Sequence, residues 1–191
     1  DGRPELYEAG TVQGQNLCIS EFQAAILLDR LGHLDAENRL RNERADLLES
    51  LLREHVPGVR MLPRQEGAEQ TYYNLVLELD TATFGGNTVD AIARALSDEL
   101  DVLVNPIYTP LDRHPLYRPL TSPRAPRDEA LRRELDPARF HLPNAVAARA
   151  RHVSTLHHVL LDAPSGMNDI VSALRKVQSR SADLTRLSHG R

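Results

Sequence analysis

Among 23 basic residues in this 191-residue chain, Lys176 is the single lysine. Any chemistry that needs a lysine must therefore use Lys176 or go without. Lys176 falls in the amphipathic stretch 167–179 beside Val177, which reads as a helix-surface position. Five histidines, His114, His141, His152, His157 and His158, lie within fifty residues. His157 and His158 fall in a stretch that reads as a strand, where neighbours point to opposite faces. The pair therefore does not read as one metal chelate; one packs and the other faces a cleft. Cys18 sits just before a helix start, where a thiolate is favoured. No nucleophile signature surrounds it, and it reads as a small apolar residue. The glycines form neither a P-loop nor a G-x-G-x-x-G turn.

Composition narrows the partners. A formal net charge of -4 with 26% charged residues supplies no basic field for nucleic acid or an anionic membrane. The arginines between 118 and 139 alternate with Asp128, Glu129, Glu134 and Asp136, as on a solvated, self-paired surface. With one cysteine there is no internal disulfide, and a cytoplasmic setting is expected. No apolar run approaches a membrane span, and residues 1–20 carry no signal core. The irregular start at Asp1 suggests a chain that begins inside a larger protein.

The elements that must position these residues follow from periodicity. Ser20-Glu21-Phe22-Gln23 is a capping box, opening a helix over 20–54 with a break or kink near 32–35 and a stop before Pro57-Gly58. Its first half carries a broad apolar face, Phe22, Ile26, Leu27, Leu31 and Leu34, expected to drive self-association when nothing covers it. Residues 73–80 alternate as a half-buried strand. A helix over 89–100 and a strand at 102–104 follow. Eight prolines between 106 and 143 exclude long regular structure there, apart from a helical turn near 129–135. A helix at 144–153, a strand at 154–161 and a helix at 167–179 complete the chain, with 181–191 fraying. The expected fold is α+β, with a long N-terminal helix and a small sheet covered by helices. The expected division is a dimer-arm segment and long helix over 1–57, then a small α+β domain over 58–191 that contains the Pro-rich loop 106–143.

Gly14-Gln15-Asn16, Ser20-Glu21-Phe22-Gln23-Ala24-Ala25-Ile26, Gln70-Thr71-Tyr72-Tyr73, Arg113-His114-Pro115-Leu116-Tyr117, Leu142-Pro143-Asn144 and Leu156-His157-His158 occur in that order. This run resembles the DegT/DnrJ/StrS family of aminotransferases over residues 1–179. The His-His and Arg-His-Pro-Leu-Tyr segments look most like members that act on cyclitol ketones or make aminohydroxybenzoate.

The resemblance implies the small C-terminal domain of a fold-type I enzyme. Such an enzyme uses pyridoxal 5'-phosphate to move an amino group from glutamate or glutamine to a keto-sugar, cyclitol ketone or related precursor. It also implies a homodimer or a large-domain partner. The family's Schiff-base lysine lies upstream of the matched region, so no catalytic residue is assigned here and the isolated chain is expected to be inactive. Asn16 matches the asparagine that reaches the cofactor phosphate of the neighbouring subunit; Cys18 stands where the family usually has arginine. Tyr72, His114, His157 and His158 are the candidates for lining the substrate cleft. The rival expectations are a noncatalytic partner subunit and a truncated remnant without activity.

Overall fold

The computed structural model describes residues 19–121, 125 and 127–184, so Asn16 and Cys18 lie outside the described residues. The described residues group into two compact units, one within 18–107 and 150–191 and the other within 108–149.

In the first unit, helix α1 spans Glu21–His55 without interruption. The capping box is present: the Gln23 amide donates to Ser20 Oγ at 3.3 Å, and the Ser20 amide donates to Gln23 Oε1 at 2.7 Å. The break expected near 32–35 is absent. A glycine weakens a helix but keeps its N–H in the ladder, unlike proline, and among the described residues no atom lies within 4 Å of the Gly32 Cβ position. Only the second half of α1 enters the core, through Ala45, Leu48 and Leu52. The first half leaves Phe22 85%, Leu28 72% and Leu31 64% exposed.

The sheet contains β1 (Val59–Met61), β2 (Asn74–Leu79), β3 (Val104–Pro106) and β4 (His152–Leu156), in the order β1-β2-β4-β3. Every pairing is antiparallel. The alternation read over 73–80 holds within β2, where Leu75, Leu77 and Leu79 point into the core; Tyr73 precedes the strand and is exposed. Strand β1 escapes sequence reading because three residues are too few to display a period. Strand β3 ends on Pro106 at the sheet edge, where no further ladder partner is needed from its nitrogen.

Helix α2 (Val89–Leu100), capped by the Thr88 hydroxyl, and helix α5 (Pro164–Ser179) cover the sheet with α1. Helix α5 begins three residues before the expected Met167, because Pro164 occupies its first turn, where proline's missing N–H costs nothing. The strand expected over 154–161 stops at Leu156, and His157–Leu161 forms a 3-10 helix. Opposite-face reasoning for His157 and His158 therefore does not apply.

The second unit holds the Pro-rich segment. It breaks into 3-10 turns at Leu111–Arg113, Pro119–Thr121 and Pro137–Arg139, with short helices α3 (Glu129–Glu134) and α4 (Pro143–Arg149). Asp128 caps α3 by accepting from the Leu131 amide at 2.8 Å. Tyr117 and Phe140 meet edge to face with ring centroids 6.2 Å apart. Helix α4 ends at Arg149 instead of the expected residue 153, since His152 and Val153 pair with Glu78 and Leu77 of β2.

Candidate functional site

The 3-10 helix after β4 places its two histidines in different surroundings. His157 is half-buried and lines a cavity of about 610 Å³ along the exposed half of α1. That cavity has apolar walls from Leu27, Leu31 and Leu34 and a polar end formed by Glu37, Arg41 and His157. His158 borders a separate cavity of about 390 Å³ between the sheet, α2 and α5. Its walls include Leu75, Leu96 and Ile170, and Asp162 and Asp169 also line it.

The polar end of the first cavity is built on a buried charge. Arg41 is 4% exposed, and a buried guanidinium is tolerated only when its donors are occupied. Its Nε donates to His157 Nδ1 at 3.2 Å, Nη1 to Asn38 Oδ1 at 3.0 Å and Nη2 to Glu37 Oε2 at 2.8 Å. The other Glu37 oxygen accepts from Arg30 Nη2 at 2.8 Å. Arg41, Arg30 and His33 together hold the Glu37 carboxyl below the usual carboxylate range, the Arg41 hydrogen bond contributing most. Burial, and then the charges of Arg41 and His158, push the His157 imidazole below its ordinary value. Arg44 Nε, one turn further along α1, donates to the Asp162 carbonyl at 3.1 Å and ties the helix to the end of the 3-10 segment.

The remaining expected residues sit elsewhere. Tyr72 packs against the hydrophobic core, and burial raises its phenol pKa despite the nearby Arg64. Arg64 itself pairs with Asp46 and Glu49 of α1. Tyr72 lines neither cavity. His114 belongs to the second unit, where its Nδ1 accepts from the Leu116 amide at 3.1 Å. Asn16 is outside the described residues. Arg41 and Glu37 were not singled out from the sequence, where 38–43 reads as a very polar stretch of the helix. A signal was present: Leu34, Arg41 and Leu48 are seven apart, so Arg41 shares the core-facing stripe and must find partners.

Comparison with known proteins gives this geometry a context. The model of the DegT/DnrJ/EryC1/StrS aminotransferase family matches residues 4–163. The chain belongs to that family. It is 39% identical over 184 residues to the L-glutamine:2-deoxy-scyllo-inosose aminotransferase of Streptoalloteichus tenebrarius, covering 96% of this chain and 43% of that protein. The enzyme of the same name from Streptomyces kanamyceticus is 41% identical over 187 residues, with the same coverage. The L-glutamine:scyllo-inosose aminotransferase of Streptomyces griseus is 36% identical over 186 residues, covering 97% of this chain and 43% of that protein. The chain thus spans less than half the length of these relatives and aligns to their C-terminal part. The crystal structure of 3-amino-5-hydroxybenzoic acid synthase superposes with a TM-score of 0.60 at 24% identity, over 94% of this chain and 44% of that one. The expected α+β fold, the small C-terminal domain of a fold-type I aminotransferase, is the fold found.

Lys176, the one lysine, lies on α5 and pairs with Glu99 of α2 on the protein surface. It lines neither cavity.

Proposed function

We propose that this chain is the C-terminal part of a pyridoxal-phosphate aminotransferase that transfers the amino group of glutamine to a cyclitol ketone of the scyllo-inosose kind. The observation that carries this reading is the match at 36–41% identity to glutamine:inosose aminotransferases over 96–97% of the chain. Glutamate remains the alternative donor, and a keto-sugar the alternative acceptor. When bound, pyridoxal phosphate supplies the electron sink that lets an amine exchange with a ketone. Here it is held mainly by a lysine-bearing large domain or a homodimeric partner, and Asn16 contributes to its phosphate. His157 serves the substrate directly; Tyr72, His114 and His158 are separate candidates for substrate contact, His158 on the second cavity and Tyr72 and His114 on neither. Segment 1–57 acts as arm and long helix, and 58–191 as the small domain, in a cytoplasmic enzyme.

The exposed first half of α1 supports a partner. Ile19, Phe22, Ile26, Leu27, Leu28 and Leu31 are each more than half exposed, and an apolar patch of this kind in water favours association. A second reading is a noncatalytic subunit that completes another chain; the surface pairing of Lys176 with Glu99 fits both readings equally. The test is co-expression with the part of the Streptoalloteichus tenebrarius enzyme that precedes the matched region. A stable complex that aminates 2-deoxy-scyllo-inosose with glutamine supports the first reading. A stable complex without amination supports the second, and no complex removes both.

A further inference from the structure

The interaction between Arg41 and His157 links residues 116 positions apart; the family resemblance singles out His157 but not Arg41 or their contact. We propose that Arg41 is a positioning residue: its Nε–H fixes His157 with a bare Nδ1 and the proton on Nε2, presenting Nε2–H as a hydrogen-bond donor to an oxygen of a polyhydroxylated ring ketone. The ligand class rests on the aminotransferase reading, whereas the tautomer does not.

The geometry sets the tautomer. A neutral imidazole has one donor and one acceptor nitrogen, and the hydrogen bond at one nitrogen dictates the state of the other. Arg41 Nε has only a hydrogen to offer, so Nδ1 accepts at 3.2 Å, and the ring proton resides on Nε2. Arg41 cannot turn away, because Asn38 holds Nη1, Glu37 holds Nη2 and the side chain is 4% exposed. A proton added at Nδ1 would face the Arg41 N–H and lie beside the Arg41 charge. Burial is the largest influence, the charges of Arg41 and His158 on the same 3-10 segment act with it, and Glu37 on α1 and a backbone hydrogen bond at His157 act against it. The ring therefore stays uncharged to lower pH than an ordinary histidine. His157, Arg41 and Glu37 all line the cavity beside Leu27, Leu31 and Leu34. A polyol ring offers such a site hydroxyl edges for the donor and C–H faces for the leucines, and an uncharged donor leaves the nucleophilicity of a nearby amine intact.

The tautomer is measured on the full 191-residue chain, labelled with ¹⁵N, by long-range nitrogen–carbon-bound-proton correlation. The expected spectrum shows His157 Nδ1 as the unprotonated ring nitrogen and Nε2 as the protonated one, over the neutral pH range. In Arg41→Gln the titration midpoint of His157 rises and the two tautomers mix. An Nδ1–H form in the wild-type chain overturns the proposal, as does an unchanged tautomer in Arg41→Gln. The wild-type spectrum decides even if a variant does not fold. The ligand half is read in the complex with the preceding part of the relative. Arg41→Lys keeps the charge but cannot bond Nδ1, Asn38 and Glu37 together. KM for the ketone then rises about tenfold, the worth of one oriented hydrogen bond, with kcat less affected. An unchanged KM refutes the positioning role. If the wild-type complex aminates no ketone, the substrate half falls with the functional reading while the tautomer result stands.

Discussion

Replacing Gly58 by alanine tests how the turn after α1 aligns that helix with the sheet, and so how Arg41 meets His157. Gly58 has φ +78°, and an added Cβ would lie 2.5 Å from Thr83 Cγ2, 2.8 Å from Thr83 Oγ1 and 3.2 Å from Asp80 Cβ. The left-handed backbone costs a non-glycine residue about 1–2 kcal/mol. The contacts add about 1–3 kcal/mol as overpacking. Thr83 cannot rotate freely to relieve them, because its hydroxyl donates to the Asp80 carbonyl at 2.8 Å and accepts from Gln178 Nε2 at 3.0 Å. Gly58→Ala should therefore destabilise the chain by about 2–5 kcal/mol, the sum of the two. Urea unfolding followed by circular dichroism gives the change, and a double-mutant cycle divides it. Thr83→Ala removes both nearest atoms but leaves φ unchanged, so in that background Gly58→Ala costs only about 1–2 kcal/mol. Additivity of the two substitutions within about 0.5 kcal/mol, the scatter of uncoupled sites, would refute the steric reasoning.

Three further outcomes follow from the same structure. Ser20→Ala removes the capping box and should weaken the first turns of α1 by about 1 kcal/mol; amide exchange rises at residues 21–24, while core amides near Leu48 are unmoved. Glu78, hydrogen-bonded to Arg60 and close to His152 and Arg151, titrates below an ordinary glutamate. Its depressed folded-state pKa contributes stability above the unfolded value near about 4.3, and that contribution is lost as pH falls through the folded value. Glu78→Gln should therefore flatten the acid limb of a stability-against-pH curve, and an unchanged limb would contradict the assignment. Lys176→Ala removes a surface pair whose side chains are 48% and 32% exposed, so its cost should stay within about 1 kcal/mol by thermal unfolding. A much larger loss would show that Lys176 has a structural role beyond that pair.

Local chemistry was legible in the sequence where it acts over short distances. The Ser20–Gln23 box and the alternation of Leu75, Leu77 and Leu79 each declare themselves within a few residues, and both are present. What escaped depends on partners remote in the chain. Strand β1 exists because Val59 and Met61 pair with Leu79 and Leu77, and its three residues carry no period. His157 leaves the strand because β4 has partners on β2 and β3 only through Leu156. The candidate site divides in the same way. His157 was legible through its family motif, but its meeting with Arg41 is a product of tertiary packing. Even so, the heptad position of Arg41 between Leu34 and Leu48 marks it in hindsight as a buried charge in need of partners. Tyr72 and His114 came from the same resemblance, and the structure gives them packing and local hydrogen bonds.

The proposed function depends on where the amine that holds the cofactor comes from. Borohydride trapping of pyridoxal phosphate in the complex with the preceding part of a relative, followed by peptide mass spectrometry, locates that amine. A reduced adduct is expected on a lysine of the added part, with none above background on Lys176. An adduct at Lys176 approaching one per chain would contradict it.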